Sequence, residues 1–309
     1  MKCDLLLPVW NQLDYTRECI KSLFATVDVP SRLIVIDNAS TDGTAEYLRA
    51  LTPPSMIKLE IITNSSNLGY GGGVNQGLKI TDAPFVCILN NDTVFGAGWL
   101  STMLEIQYRE NRVGIVNPES STFGVRPAAG QTMSQLAETL APRKRDWEEL
   151  GNCIGFCMLV RRDVLRQIGS FDETFITAFF EDTDFCMRAK KVGFLCVKAC
   201  GAYVFHHEHK SIEQIPELEK LFAEKGWNAT VSRIGSAFCV YFGAGIPADW
   251  HALASRHDFD LDRRYRLALI ERGIYHFPMP CKQGSISAAH SDEDLARTLE
   301  VTREALKTL

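Results

Sequence analysis

The feature that most constrains this chain is an alternation, near its N-terminus, between short apolar runs and stretches with apolar residues at helical spacing. "CDLLLPVW" is an apolar run ended by Pro8, and "LDYTRECIKSLFAT" sets Ile20, Leu23 and Phe24 at helical spacing, with Asn11 or Asp14 as candidate caps. "RLIVIDNAS" then predicts a buried strand, "TDGTAEYLRAL" a helix and "IKLEIITNS" a strand. "GGGVNQGLKI" opens a further helix and "APFVCILNNDT" a further strand. Strands apolar on both faces must be covered on both faces, so the alternation predicts an α/β fold around a parallel sheet. Ligands of such sheets bind in the crevice beyond the carboxyl ends of the strands. Those ends here carry Asn11, then Asp37 and Asn38, then Asn64 and Asn67, then Asn90 to Asp92. Each group alone is also an ordinary cap or turn. Together they point to one crevice.

Downstream, Pro118 to Glu149 reads as a long irregular connection. A strand ("IGFCMLVRR"), a helix ("DVLRQIG"), an acidic helix start ("FFEDTDFCMRAKKVGF") and a strand ("FLCVKACGAYVFHH") follow it. Near Ser211 the texture changes: helix-like stretches flank "ATVSRIGSAFCVYFGAG", and a cap box from Ser291 to Asp294 precedes the last helix. The 309 residues thus divide into a main domain and a smaller C-terminal one.

Charge narrows the partners. The net charge is -5, and the densest basic cluster, Arg143 to Arg145, is answered at once by Asp146, Glu148 and Glu149. No basic stripe remains for nucleic acid, whereas a nucleotide bound through a metal needs none. Of the ten cysteines, Cys153/Cys157 and Cys196/Cys200 share a C-x3-C spacing. "NCIGFCMLV" is apolar, however, and cysteine in such a run acts as a small hydrophobe. Abundant unpaired cysteine suits a reducing compartment. "MKCDLLLPVWNQLD" is broken too early for a signal peptide, and no apolar run reaches the length of a membrane span. A soluble, cytoplasmic protein is expected, with peripheral membrane contact compatible.

Three segments carry chemistry. "LNNDT" ends a strand in amides and one carboxylate, and a divalent ion bridging phosphates needs few protein ligands; the same letters also make a turn. In "FFEDTDF", Glu181, Asp182 and Asp184 suit the positive end of a helix. Phe179, Phe180 and Phe185 crowd apolar bulk against them, which is how a carboxylate becomes a general base. "YVFHHEHKS" offers His206, His207 and His209 either as metal ligands or as a polar strand end.

Taken in order, "LLLPVWNQLDYTRECIKSL", "VIDNASTDGT", "NLGYGGGVNQGL", "LNNDT", "GFCMLVRRDVLRQIGSFDETF" and "FFEDTDFCMRAKKVGF" resemble the family 2 glycosyltransferases. These have the GT-A fold, a Rossmann-like nucleotide-diphospho-sugar transferase fold, and include many rhamnosyltransferase-like members. The resemblance covers residues 1–212. It implies inverting, metal-dependent hexosyl transfer, with Mn2+ or Mg2+, from a UDP-, dTDP- or GDP-sugar to an acceptor hydroxyl that the sequence does not identify, in glycan or surface polysaccharide biosynthesis. It further implies that Pro8 and Asn11 lie in the loop lining the nucleotide pocket, and that Asp37 bonds the base with Asn38 beside it. Asn67, Gly69, Gly71, Gly72 and Gly73 would pack around the nucleotide, where missing side chains permit close approach. Asn90, Asn91 and Asp92 fall on the D-x-D metal motif, with Asn91 on the nucleotide side. Asn90 replaces the first carboxylate, which leaves Asp92 as the metal's carboxylate. Asp182 matches the catalytic base, with Glu181 and Asp184 toward the acceptor or at the helix start. His206 matches a downstream histidine that ligates the metal, while His207 and His209 stay open. The mechanism so implied is a single displacement that inverts the anomeric carbon.

The tail, residues 213–309, resembles instead the small α+β domain of class III aminotransferases, the glutamate-1-semialdehyde aminomutase group in particular. That group's pyridoxal phosphate forms a Schiff base with a lysine of the large domain. With no counterpart of that domain in these residues, no pyridoxal phosphate is expected, and packing, homo-oligomerisation or partner docking is. Two other classes are alternatives. A catalytically silent nucleotide-sugar or glycan-binding scaffold would keep the fold without turnover. A nucleotidyltransferase would carry a basic phosphate-clamping loop near the N-terminus, which "LPVWNQLDYT" lacks.

Overall fold

The computed structural model describes residues 2–173, 181–207, 215–234, 237–243, 245–247, 249–276, 278–281, 284–285 and 292–309. The chain divides into two compact units, Met1–His207 and Glu208–Leu309. The expected boundary at 212/213 lies outside the described residues, as do Phe179, Phe180, His209 and the cap residue Ser291.

Unit 1 opens with strict alternation: β1 (Cys3–Val9), α1 (Leu13–Thr26), β2 (Ser31–Asp37), α2 (Thr44–Arg49), β3 (Ile57–Thr63), α3 (Gly69–Leu78) and β4 (Phe85–Leu89). Then follow β5 (Thr93–Phe95), α4 (Trp99–Arg109), β6 (Val113–Ser120), a 3-10 turn (Ser121–Phe123), α5 (Met133–Leu140), β7 (Trp147–Glu149), β8 (Cys157–Arg161), α6 (Arg162–Ile168), α7 (Glu181–Lys191) and β9 (Leu195–His206). Among the described residues the sheet runs β3-β2-β1-β4-β8-β6-β9-β5, with β7 paired to β9. β1 to β4 are mutually parallel, as the apolar runs predict. Leu5, Leu7, Leu33, Val35, Cys87 and Leu89 are buried on one face, and Leu6, Ile34, Ile36 and Val86 on the other. Each fully buried aliphatic side chain stabilises the fold by about 1.5–3 kcal/mol.

The sheet departs from a parallel one in its second half. β8 is antiparallel to both β4 and β6, and β5 and β7 are antiparallel to β9. The stretch expected as an irregular connection holds the end of β6, α5 and β7. Strand β1 does not stop at Pro8: Pro8 pairs with Ile36, and the strand runs on to Val9, opposite Asp37. Its pairing with β4 ends at Leu6, which makes a residue without an N–H tolerable there. Neither Asn11 nor Asp14 caps α1. Gln12 precedes the helix in the left-handed region (φ 61), and Asp42 Oδ2 accepts from the Leu13 N–H at 2.9 Å. A loop distant in sequence thus supplies the cap.

Unit 2 comprises α8 (Ile215–Glu224), β10 (Ala229–Ile234), β11 (Ala237–Phe242), α9 (Trp250–Arg256), α10 (Phe259–Glu271), β12 (Gly284–Ser285) and α11 (Asp292–Ala305). The three strands form an antiparallel sheet in the order β10-β11-β12. Phe222, Phe242, Tyr265 and Leu269 fill its core. Within that core lies Asp262, which accepts from Arg266 Nε (2.6 Å), from the Cys281 N–H (2.6 Å) and from His257 Nε2 (3.0 Å). No helix among the described residues is long and apolar enough to cross a membrane.

Candidate active site

The antiparallel pairing of β5 with β9 sets Thr93 opposite His206, and the His207 N–H donates to the Asp92 carbonyl at 2.9 Å. This register brings His206 Nε2 to 3.1 Å from Asp92 Oδ2. Asp92 is fully buried, whereas His206 keeps 13% of its side chain exposed. Adjacent ligands of a hard divalent ion, bonded near 2.1 Å and at right angles, stand about 3 Å apart. One carboxylate and one imidazole at this spacing fit such an ion. The His206 ring stacks on Phe156 (centroids 5.0 Å apart, planes at 14°), and its Nδ1 lies 3.0 Å from Thr122 Oγ1. Asn90 is tied through its backbone: its N–H donates to the Phe156 carbonyl and its carbonyl accepts from Thr93 Oγ1. Asn91 Nδ2 donates to Thr16 on α1. His207 is occupied elsewhere, 2.9 Å from Glu18.

Asp182 stands in the first turn of α7, where the helix dipole and free N–H groups favour an anion. Its Oδ2 accepts from the Gly155 N–H (3.0 Å) and its Oδ1 from the Thr183 N–H (2.6 Å). On the other edge of residue 155, the Tyr70 hydroxyl donates to the Gly155 carbonyl at 2.8 Å. A Cβ at Gly155 would stand 3.0 Å from that hydroxyl, so glycine permits the approach. Burial foremost, then the carboxylates of Glu181, Asp182 and Asp92, push the Tyr70 phenol well above its usual pKa. All three acids therefore lie within electrostatic reach of one ring. Glu181 is buried. Asp184 instead pairs with Arg188 at 2.7 Å, and Arg188 also donates to the Ile168 and Ser170 carbonyls, which braces the helix. Phe185 turns into the core against Phe171.

One dipeptide joins these parts. Gly155 holds Asp182, while Phe156 stacks on His206 and accepts from Asn90. It leads directly into β8, whose pairing with β4 fixes where it sits.

The remaining strand ends assemble beside it. Asp37 is 1% exposed; its Oδ1 accepts from the Ser40 N–H at 3.0 Å. Asn38 donates to the Gly69 carbonyl and accepts from Asn64, which exchanges hydrogen bonds with Gln76. A Cβ at Gly73 would meet Asn38 Nδ2 at 2.8 Å, whereas one at Gly71 would enter open space. Gly73 thus serves the packing, and Gly71 leaves room at the surface. Gly72 packs on Leu68, and Gly69, in the left-handed region, donates its N–H to Asn67 Oδ1. Asn11 is stitched to the next loop, donating to Ser40 Oγ and accepting from the Thr41 N–H. Pro8 is buried in the strand rather than in that loop.

Sequence reasoning passed over Thr122, Tyr70, Gly155 and Phe156. Tyr70 and the Gly155–Phe156 pair lie inside quoted motifs, yet nothing in the letters says what they touch. Thr122 lies in the stretch read as a connection.

In unit 2, His257, Asp262 and Cys281 also cluster, with ligand atoms within 4.8 Å. That cluster is already satisfied. The Phe242 N–H donates to His257 Nδ1 at 3.1 Å, which leaves the ring proton on Nε2, facing Asp262. Burial pushes the Cys281 thiol up to about 11.

A family model described as "Glycosyl transferase family 2" matches residues 4–169. The N-acetylglucosaminyl-diphospho-decaprenol L-rhamnosyltransferase of Mycobacterium tuberculosis is 28% identical over 232 residues, covering 64% of this chain and 73% of its own. Glutamate-1-semialdehyde 2,1-aminomutases match as well, in the C-terminal part. That of Syntrophus aciditrophicus is 30% identical over 102 residues, 33% of this chain and 23% of its own; that of Thermus thermophilus is 27% identical over 199 residues, 61% of this chain and 47% of its own, a match longer than unit 2 alone. Among solved structures, the mannosyltransferase PcManGT from Pyrobaculum calidifontis, in complex with GDP-Man and Mn2+, superposes with a TM-score of 0.55 at 16% identity. The match covers 73% of this chain and 63% of that one. The mixed α/β sheet is accordingly the GT-A fold. The family match spans more than half of the chain, which belongs to glycosyl transferase family 2.

Proposed function

We propose that unit 1 is an inverting, metal-dependent glycosyltransferase that moves a sugar from a nucleotide-diphosphate donor to an acceptor hydroxyl. The observation that carries this reading is the convergence on Gly155–Phe156: a first-turn carboxylate on one side and a carboxylate–histidine pair on the other. Asp92 and His206 would hold the ion, which, when bound, supplies positive charge against the departing diphosphate. Asp182 takes the proton of the acceptor hydroxyl as that oxygen attacks the anomeric carbon. Its two backbone donors and Tyr70, through Gly155, fix where that carboxylate sits. Asp37 and Asn38, with the glycines of α3, form the nucleotide side. Glu181 faces the acceptor, and Asp184 braces the helix through Arg188.

The named relatives bear on substrate class: one is a rhamnosyltransferase acting in a diphospho-decaprenol series, the other a mannosyltransferase seen with GDP-Man and Mn2+. We read this chain's acceptor as a glycan, within polysaccharide biosynthesis at the cytoplasmic side of a membrane. We assign unit 2 to packing or self-association, without pyridoxal phosphate; its described lysines Lys220, Lys225 and Lys307 are all exposed. A 420-nm band appearing on addition of pyridoxal phosphate would overturn that part.

The test of the main reading is a donor-hydrolysis screen of UDP-, dTDP- and GDP-sugars with Mn2+ or Mg2+. Turnover of one donor that needs the ion and is lost in Asp182→Asn supports it. Donor binding without turnover under every condition would favour a silent scaffold.

A further inference from the structure

We infer that Thr122 is the positioning residue that holds the His206 ring for a divalent cation, a deepening that rests on the reading of His206 as a metal ligand. The ring sits between two oxygens, Asp92 Oδ2 at 3.1 Å from Nε2 and Thr122 Oγ1 at 3.0 Å from Nδ1. Everything else about it is held. Ser121 Oγ donates to the His206 carbonyl (2.8 Å) and accepts from its N–H (2.9 Å), and Phe156 stacks on the ring. Thr122 is held in turn, its N–H donating to Ser120 Oγ at 3.2 Å, with the two hydroxyls 3.5 Å apart.

A neutral imidazole carries one proton. Ligating a cation through Nε2 requires the lone pair there, so the proton then sits on Nδ1 and donates to Thr122 Oγ1, 3.0 Å away. Second-shell partners of this kind set the tautomer and basicity of a ligating histidine.

The experiment titrates the full-length chain with Mn2+ alone, followed by the electron paramagnetic resonance of the free ion. Thr122→Val, nearly isosteric but without the hydroxyl, should weaken Mn2+ about 10–100-fold. Thr122→Ser should restore it, and His206→Gln should weaken it at least as far as Thr122→Val. Unchanged affinity in Thr122→Val, beside a weakened His206→Gln, overturns the role of Thr122 and leaves His206 a ligand. Unchanged affinity in His206→Gln overturns the underlying reading. Nitrogen-15 shifts of His206 in the unmutated chain, titrated with diamagnetic Mg2+, give an independent reading. With the ion bound the proton should sit on Nδ1, and a ring that carries it on Nε2 at saturating Mg2+ contradicts the inference whatever the variants do.

Discussion

Two histidine–aspartate contacts of nearly equal length occur among the described residues. In unit 1, His206 Nε2 lies 3.1 Å from Asp92 Oδ2; in unit 2, His257 Nε2 lies 3.0 Å from Asp262 Oδ2. Both aspartates are fully buried. The contact in unit 2 is a hydrogen bond and that in unit 1 a close approach, and the two differ again one bond further out. His257 Nδ1 is fixed by a backbone N–H, and Asp262 also binds Arg266 and the Cys281 N–H. His206 Nδ1 meets a hydroxyl that can rotate, and its ring is 13% exposed against 1% for His257. A carboxylate–histidine pair therefore says little about function by itself. The second partner and the access of its ring decide whether the pair is a strut or a site.

The comparison breaks most visibly at the reacting groups. Asp182→Asn or Asp92→Asn should lower sugar transfer by about 10²–10⁴-fold, measured as donor turnover, because each removes a charge for which the neighbouring amides and hydroxyls cannot substitute. Asp262→Ala should do the opposite kind of damage. It removes the buried carboxylate that Arg266 Nε, the Cys281 N–H and His257 Nε2 all face, at a cost of about 3–5 kcal/mol in urea melts, and leaves Mn2+ affinity unchanged. A smaller effect should follow pH. Burial, and after it the Arg266 charge, push His276 from 6.5 down to about 4, so between these values the unfolded chain binds a proton that the folded one does not. Unit 2 should then hold its full stability above about pH 6.5 and lose it as the pH falls toward 4. His276→Phe should flatten that slope in the same melts. The smallest expected change is Tyr70→Phe. Loss of one hydrogen bond, about 0.5–1.5 kcal/mol, should lower kcat a few-fold with KM unchanged, since Tyr70 acts on Asp182 only through Gly155.

Much of this was legible in the sequence, for physical reasons that differ by element. The runs "LLLPV", "LIVID" and "FVCIL" are apolar on both faces, and only a covered parallel sheet buries both. Strand β6 is hidden in the sequence because Gly114 and Pro118 interrupt its apolar run; neither is a strand former, yet the parallel pairing with β9 steps over Gly114 at a register shift and includes Pro118. The cap of α1 was assigned to its own neighbours, whereas Asp42 reaches it from another loop. Asp92, Asp182 and His206 stood out by type and order. Thr122 could not, because a threonine in an irregular stretch gives no sign of the ring it faces across the sheet.

The most direct test of the difference between the two pairs is Mn2+ stoichiometry, counted by paramagnetic resonance on the full chain and on Asp92→Asn. One tight ion per chain that disappears in Asp92→Asn is the predicted result. An ion retained at full stoichiometry in Asp92→Asn would contradict the account, since Asp92 would then not be its ligand.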